Sequence, residues 1–569
     1  MILFAGLWFY FPGKYVLIAN GDLSLFELGF SYFRGFLDRP GGLIEYAGSF
    51  LNQFYRFRLS GALILALFTG ASFFAARFLI NRISGKQVIP VGGVVAALLL
   101  MAMHNYYPHQ LSHSLGIILS LSLAASMPRG RRKRSFFLGL GLPAIYLLTG
   151  GFVWFFCVLG LTVILNERAK ADYLSMGLLV VYPGLLVYLA SLMYLYPWQD
   201  LLSFQLPLGA SYGSTRWPLI FAGWIILFSL LSRFMGLERI KPSKWKLGIE
   251  ALLCLSAAIL LMHFSFNRKN AEFFTIEKMA LEEDWDGVLE YTRKHPSTNL
   301  FGSFYTNLAL ANKGLLCESL FQYPQGFGRR ALCFAWEEKE EILRRGSDFF
   351  WTIHYVNESH HWAFESLIIE GPTLRNLERL IQCELVRGNF RVAQKYIDQL
   401  GNSLFQRKLA SHYADFLDKP ELMVRDPDLG PRLNSKMNLD FFAEGGDLEK
   451  NLKMVLANHP TKGPAIDYLM ALYLLEKRVD DIPPLLPDYL ESHEGQISAL
   501  LDESLLVYQI TQREEADPEL VVSHATLKRF EEYTKVLRQY RNPEDAARML
   551  YPAFGHTFWF HLNFNSLPN

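Results

Sequence analysis

The chain has 569 residues, of which 51% are hydrophobic, 15% aromatic and only 19% charged. Its mean hydropathy of +0.15 is unusual for a soluble globular protein. This composition, with a net charge of +1, excludes a disordered chain, a small disulfide scaffold and a nucleic-acid binder with a basic face.

The small net charge conceals two different halves. Residues 1–267 contain 21 Lys and Arg against 9 Asp and Glu, so this half carries +12. Residues 268–569 contain 34 basic and 45 acidic residues and carry −11. We therefore predict a transmembrane domain at 1–267 and an acidic globular domain at 268–569.

Apolar stretches that could cross a hydrocarbon core of about 30 Å as helices recur along the first half. They lie at about 1–19, 60–80, 88–103, 110–127, 173–196, 218–235 and 247–265, with a further block at 136–165. The last block is either one long helix or two short helices that meet at Gly150-Gly151.

Loop charge decides between these alternatives. Basic residues cluster at 82–86, 129–134, 168–170 and 233–246, whereas the loops at 104–109 and 195–217 contain only Arg216. By the positive-inside rule the four clusters face the cytoplasm, so the 136–165 block must form a full or re-entrant hairpin. The sequence thus predicts an all-α fold with about nine spans in the cell inner membrane. The N-terminus would be cytoplasmic and residues 268–569 periplasmic.

A long loop at 20–58 separates the first two predicted spans. Phe26, Phe30, Phe33 and Phe36 recur at helical spacing, which predicts an amphipathic helix in the outer interface of the bilayer. Pro40-Gly41-Gly42 should end this helix, and residues 43–51 should form a second one.

Two carboxylates of this loop are candidate catalytic groups. Asp22 follows the first span directly, where a carboxylate is costly unless it has a task, and it could serve as a general base or a metal ligand. Glu45 is the second candidate. The alternative for Asp22 is a helix cap, a common position for Asp.

Three histidines lie at the predicted outer ends of the third and fourth spans. His109 and His113 are four residues apart and would share a helix face, which is metal-ligand spacing. His104 and Arg216 are candidate contacts to a lipid phosphate. The alternative is an aromatic belt, in which the histidines are polar neighbours of Tyr106 and Tyr107.

The membrane half resembles the GT-C class of membrane glycosyltransferases. The resemblance rests on Gly21-Asp22 after the first span, the Pro40-Gly41-Gly42 corner, the run of short spans and the outward C-terminal domain. It implies a polyprenyl-phosphate sugar as donor and a carboxylate of the first outer loop at the acceptor or at a divalent metal ion.

Across its whole length the chain resembles a family of unknown function from Bacteroides-like bacteria. The matching stretches are 40–46, 50–54, 307–310, 313–314 and 468–471. The resemblance implies an envelope protein and leaves the activity open.

The second half shows amphipathic helices joined by short turns. Residues 377–386 and 392–400 flank Gly388-Asn389-Phe390 and resemble a tetratricopeptide repeat, and 465–475 with 481–491 form another predicted pair. The pairs have no fixed period, so we predict an irregular array of helical hairpins whose concave face binds a protein or peptide partner.

Two functions follow from the sequence. The first is a GT-C-like transferase that moves sugar from a polyprenyl-phosphate carrier to an envelope glycan or lipid. The second is a membrane-anchored scaffold that recruits periplasmic partners. Neither hypothesis involves nucleic acid.

Overall fold

The computed structural model describes residues 1–21, 25–167, 172–207, 216–234, 244–337, 339–434, 443–444, 446–458, 463–512 and 521–565. These residues form helices and connecting turns, with one isolated antiparallel bridge between Glu27 and Ser403 and no strand among them. The predicted all-α fold class is confirmed.

The chain divides into two compact units. Unit 1 comprises Met1–Ala271 and Asn402–Phe405, and unit 2 comprises Glu272–Gly401 and Gln406–Asn569. The helices of unit 1 are α1 (Ile2–Tyr10), α2 (Lys14–Gly21), α3 (Phe30–Gly35), α4 (Gly42–Asn52), α5 (Arg58–Ser84), α6 (Val91–His104), α7 (Leu111–Ser126), α8 (Arg131–Thr149), α9 (Phe152–Asn166), α10 (Tyr173–Met193), α11 (Trp198–Ser203), α12 (Trp217–Phe234) and α13 (Lys244–Ser265).

The prediction of about nine spans is wrong by the length and composition of the described helices. Three of them are long and apolar enough to cross a membrane: Arg58–Ser84, Tyr173–Met193 and Gly248–Ser265. A fourth is gained if α1 and α2, which meet at a bend of 68°, form one broken span.

The physical reason for the difference is helix length and charge. The apolar helices α6, α7 and α9 have 14, 16 and 15 residues, below the roughly 20 that a span needs. Helix α8 has 19 residues but begins with four basic ones. The two helices α8 and α9 do meet at Gly150-Gly151, as the hairpin prediction requires.

Helix α5 is the centre of unit 1. It packs against α1, α6, α7 and α12. Ala76 and Leu79 of α5 are fully buried together with Leu100 of α6 and Leu121 of α7. Two helices lie where the 20–58 loop was predicted to form them: α3, which begins at Phe30 and excludes Phe26 and is continued by a 3-10 turn at Phe36–Asp38, and α4.

Unit 2 contains seventeen helices within its described residues. They are α14 (Arg268–Leu281, whose first turn belongs to unit 1), α15 (Trp285–Lys294), α16 (Leu300–Asn312), α17 (Leu316–Ser319), α18 (Glu340–Thr352), α19 (Val356–Glu370), α20 (Leu374–Arg387), α21 (Phe390–Gly401), α22 (Arg407–Asp418), α23 (Leu429–Asn434), α24 (Leu448–Asn458), α25 (Gly463–Glu476), α26 (Leu486–Ser492), α27 (Ala499–Gln512), α28 (His524–Leu537), α29 (Pro543–Phe554) and α30 (Phe558–Phe564).

Consecutive helices from α18 to α22 pack against one another as hairpins. Gly388 ends α20 in the left-handed conformation with φ of 81°, which a residue without a Cβ adopts readily. The helix–turn–helix predicted around this glycine is therefore present. The second predicted pair is present only in part, because 3-10 turns precede α26.

Two adjacent carboxylates of α27 hold the starts of α28 and α30. Asp502 accepts hydrogen bonds from the Ser523 and Thr526 hydroxyl groups, both at 2.6 Å, at the start of α28. Glu503 accepts from the backbone N–H of Phe558, the first residue of α30, at 2.6 Å. The start of each of these two helices is thus fixed to a neighbouring residue of α27.

Candidate functional sites

Glu45 lies in the first turn of α4, which begins directly after the Pro40-Gly41 corner. Its oxygens accept two hydrogen bonds from the Arg39 guanidinium, at 2.9 and 2.8 Å, and one from the Gln205 amide at 2.9 Å. The side chains of Arg39 and Glu45 are each 25% exposed. Three hydrogen bonds thus engage the two oxygens of this predicted catalytic carboxylate.

Three chain segments meet around this ion pair through main-chain atoms. The Gly41 N–H donates to Leu147 O at 2.9 Å, and the Gly151 N–H donates to Phe204 O at 2.8 Å. A Cβ on Gly41 would stand 3.0 Å from Gly150 N, and a Cβ on Gly150 would stand 2.7 Å from Phe204 O. We call this contact of residues 40–42, 147–151 and 202–206 the glycine junction.

The histidines form a second cluster. The Ser114 hydroxyl is 2.9 Å from Nε2 of His104 and 2.9 Å from Nε2 of His109, and both rings are almost fully buried. His113 accepts the Gln110 N–H at 3.2 Å and so caps the start of α7. The structure therefore brings the three predicted histidines together, and hydrogen bonds within the protein engage each ring.

The histidine cluster has few groups that could complete a metal site. Among the described residues, no group of three or more His, Cys, Asp or Glu could hold a metal ion. Nδ1 of His104 is buried without a hydrogen-bond partner, so one ring nitrogen of the cluster is unsatisfied. The arrangement shown is a buried polar contact between α6 and α7.

Asn105 ties the same end of unit 1 together, and sequence reasoning did not single it out. Its amide accepts the Trp8 indole N–H at 2.8 Å and donates to the Ser265 hydroxyl at 2.8 Å. Asn20 donates to Tyr107 O at 2.9 Å. The available sequence signal was an Asn beside a His, but its partners Trp8 and Ser265 are 97 and 160 residues away.

Two predicted site residues remain, Asp22 and Arg216. Asp22 lies outside the described residues. Arg216 is exposed just before α12, and its carbonyl oxygen accepts the Ile220 N–H at 3.0 Å.

Unit 2 contains a buried ion network that the sequence did not reveal. Glu277 accepts hydrogen bonds from Arg345 at 2.7 and 3.1 Å, from Arg375 at 2.9 Å and from Tyr305 at 3.3 Å. Burial alone would raise the pKa of Glu277, but the two guanidinium groups lower it to about 2. The carboxylate is therefore ionised at neutral pH and joins α14 to α16, α18 and α20.

The network continues along α20. Arg379 donates to Asp348 at 3.2 Å, and its guanidinium carbon lies 4.5 Å from the ring centroid of Trp351. Arg432 lies 4.2 Å from the same centroid, and Asp428 accepts the Trp351 indole N–H at 3.0 Å. These contacts hold α18, α20 and α23 together, and they connect side chains within the protein rather than lining an open site.

The structure thus defines a class: an all-α protein in which an apolar helical unit is followed by a polar one. The chain matches the family described as "Family of unknown function (DUF6057)" over residues 1–565, and it belongs to that family. No curated protein and no solved structure matches the chain.

Proposed function

We propose that this protein is a multi-pass membrane protein of the bacterial cell envelope that acts as a non-enzymatic scaffold. Unit 1 anchors the protein in the inner membrane with a cytoplasmic N-terminus. Unit 2 lies in the periplasm as a tetratricopeptide-like array and recruits a protein or peptide partner.

The observation that carries the membrane part is the exposure of long apolar helices. In their most apolar stretches only 28% of α10 and 11% of α13 is buried within the protein. Val181 and Leu192 of α10 and Leu252 of α13 each expose more than 60% of their surface. Apolar area of this extent is unfavourable in water by about 25 cal/mol per Å², and a bilayer removes that cost.

The state of the predicted catalytic groups supports a scaffold rather than an enzyme. Glu45 is held by Arg39 and Gln205, and His104 and His109 share one hydroxyl group. Unit 2 offers exposed apolar side chains instead: Phe364, Ile368 and Ile369 at the end of α19 are 39%, 65% and 41% exposed. Such residues at the surface of a helical array suit a partner protein.

Cysteine labelling tests the topology. Lys294→Cys in unit 2 and Lys133→Cys at the start of α8 both replace exposed lysines. With the unsubstituted chain as baseline, we expect a membrane-impermeant maleimide to label Lys294→Cys in intact spheroplasts and Lys133→Cys only after lysis. The reverse pattern would refute the proposed orientation.

Complementation of a deletion strain tests the scaffold. We expect Ile368→Glu/Ile369→Glu to lose rescue at normal protein level, because it places charges on the surface proposed for the partner. Glu340→Gln/Glu341→Gln on α18 is a control of similar size on a neighbouring helix and should rescue fully. Rescue by the isoleucine variant would count against this docking surface.

A transferase is the second candidate, and the exposure of the Arg39–Glu45 pair favours it. A phosphate of a polyprenyl-phosphate sugar could replace Glu45 on the Arg39 fork and free the carboxylate as base. A divalent metal ion at Asp22 or the histidines would belong to this candidate. It predicts that Glu45→Gln abolishes rescue while protein level holds, whereas the scaffold predicts full rescue.

A further inference from the structure

The start of α8 carries an unusual concentration of positive charge. Its first four residues are Arg131, Arg132, Lys133 and Arg134, Arg129 precedes them, and no acidic residue lies in the first turn. Gly130 caps the helix without a side-chain hydrogen bond. Cations oppose the helix dipole at this end, so an anion bound here would relieve an unfavourable arrangement.

One of these residues, Arg134, is held in place by contacts within the protein. Arg134 is buried and forms ion pairs with Glu167 and Asp172, and it donates to Pro128 O and Arg129 O, both at 2.9 Å. Arg82 of α5 donates to Glu167 at 2.7 Å and to Met127 O at 3.0 Å.

The two carboxylates of this cluster therefore already form ion pairs with Arg82 and Arg134. The cationic side chains are Arg82, Arg129, Arg131, Arg132, Lys133 and Arg134, against Glu167 and Asp172 among the described residues. Arg129, Arg132 and Lys133 remain exposed at the surface. The surplus positive charge therefore lies where a ligand can reach it.

An apolar strip continues from this charged turn. Phe136, Leu140 and Leu147 of α8 are 69%, 65% and 47% exposed. Together with the exposed Arg132 they are spaced four, four and seven residues apart, so they share one helix face. From 132 to 147 this face is about 22 Å long at 1.5 Å per residue.

A cationic turn followed by an exposed apolar strip is complementary to a ligand that has an anionic headgroup and an apolar tail. An inorganic phosphate or an acidic peptide would use the charged turn and leave the strip uncovered. An anionic phospholipid uses both, with its headgroup at the turn and an acyl chain along the strip.

We infer that the start of α8 binds an anionic phospholipid of the membrane, with Arg129, Arg132 and Lys133 at the headgroup phosphate and Phe136 and Leu140 against an acyl chain. This inference rests on the proposed membrane location of unit 1.

The test uses the full chain in a non-ionic detergent, titrated with phosphatidylglycerol or phosphatidylcholine and read by native mass spectrometry. We expect retention of phosphatidylglycerol over phosphatidylcholine by the unsubstituted chain. Arg129→Gln/Arg132→Gln/Lys133→Gln should weaken phosphatidylglycerol binding at least tenfold. The control Lys395→Gln/Arg407→Gln/Lys408→Gln removes the same charge from exposed positions of unit 2 and should bind normally.

A second pair of measurements separates lipid from free anion. Phe136→Ser/Leu140→Ser should weaken phosphatidylglycerol binding while the charged turn is intact. Inorganic phosphate at millimolar concentration should not displace the lipid. Equal retention of the two lipids, an unaffected triple variant, or complete displacement by phosphate would each overturn the inference.

A different result would contradict the proposed function. If alkaline carbonate extracts the chain from membranes without detergent, unit 1 is not an integral domain. The lipid titration in micelles is read independently of that outcome.

Discussion

A hydroxyl group donates only one hydrogen bond, yet Ser114 meets two imidazole nitrogens at 2.9 Å each. Ser114 can donate to Nε2 of only one histidine, so Nε2 of at least one of the two rings carries a proton and donates to Ser114. This requirement makes the pair a directional contact between α6 and α7.

Removal of the Ser114 hydroxyl should destabilise unit 1. Ser114→Ala leaves two buried ring nitrogens without their partner, and each unsatisfied group costs about 1–3 kcal/mol. We expect a lower free energy of unfolding in urea titrations of the detergent-solubilised chain. Ser126→Ala, at the exposed end of the same helix, should change little, and equal losses in both variants would contradict the shared-hydroxyl contact.

Glu277 should be one of the most sensitive positions of unit 2. Glu277→Gln leaves Arg345, whose side chain is 1% exposed, without its counter-charge, and breaking a buried ion pair costs about 3–5 kcal/mol. The measurement is again a urea titration, read by tryptophan fluorescence.

The matched control for this variant is Glu290→Gln. Glu290 forms an ion pair with Lys294 on the surface of α15, where both side chains are about two-thirds exposed. We expect no measurable change in stability. A Glu277→Gln chain as stable as this control would show that the buried network is dispensable.

At the scale of elements, the α8–α9 hairpin depends on Gly150. Its φ of 60° and ψ of −132° form a conformation open to glycine, and a Cβ would meet Phe204 O at 2.7 Å. Gly150→Ala should therefore lower stability by about 1–3 kcal/mol or more. Gly139→Ala within α8, where a Cβ meets no atom within 4 Å, should gain about 0.5–1 kcal/mol. Thermal unfolding in detergent compares the two directly.

The packing of α28 to α30 on α27 should weaken with rising pH. Burial raises the pKa of Glu503 to about 7 from 4.5, although the Phe558 N–H and Arg529 favour the charged form. The protonated form therefore stabilises the packed helices. This contribution, about 3 kcal/mol, is complete below about pH 4.5 and is lost as pH rises through 7.

Limited proteolysis between about pH 6 and pH 8.5 measures this effect at residues 521–565. Glu503→Gln keeps an acceptor for the Phe558 N–H but cannot ionise, so its cleavage rate relative to an unfolded substrate should stay constant. Burial lowers the pKa of His561 to about 4, so this ring is neutral in this range, and burial also lowers the pKa of His556. Parallel pH profiles for the variant and the unsubstituted chain would contradict the assignment to Glu503.

Local elements could be predicted from the sequence where a short signal determines them. The Pro40-Gly41-Gly42 corner and the Gly388 turn appear where expected, because a left-handed glycine ends or precedes a helix by a local rule. The number of spans could not be predicted, because hydropathy does not show where a helix bends. The 68° break between α1 and α2 is an example.

The side-chain clusters at the candidate sites could not be predicted from the sequence, because their members are far apart along the chain. The partners of Glu277 are 68 and 98 residues away, and Gln205 is 160 residues from Glu45. His109 and His113 were predicted to share a face, but the sequence does not reveal that Ser114 joins His109 to His104. Only the packing of distant helices decides these pairs.

At the scale of the whole molecule, the first half is basic and exposes long apolar helices, whereas the second half is acidic. If unit 1 is integral, as proposed, the chain should remain in the membrane pellet after alkaline carbonate and high salt, because the exposed apolar faces of α10 and α13 are unfavourable in water. Detergent should release it. Release by salt alone would show that unit 1 associates with the membrane only at its surface.

The glycine junction has a consequence for how related chains vary. Its contacts join main-chain atoms of three segments, so no change of side chain in one segment can make room for a new side chain in another. The ion pairs of unit 2 differ, because a charge reversal on one side can be answered by a reversal on the other. Across the family we expect Gly41 and Gly150 to be invariant and the ion-pair partners to covary.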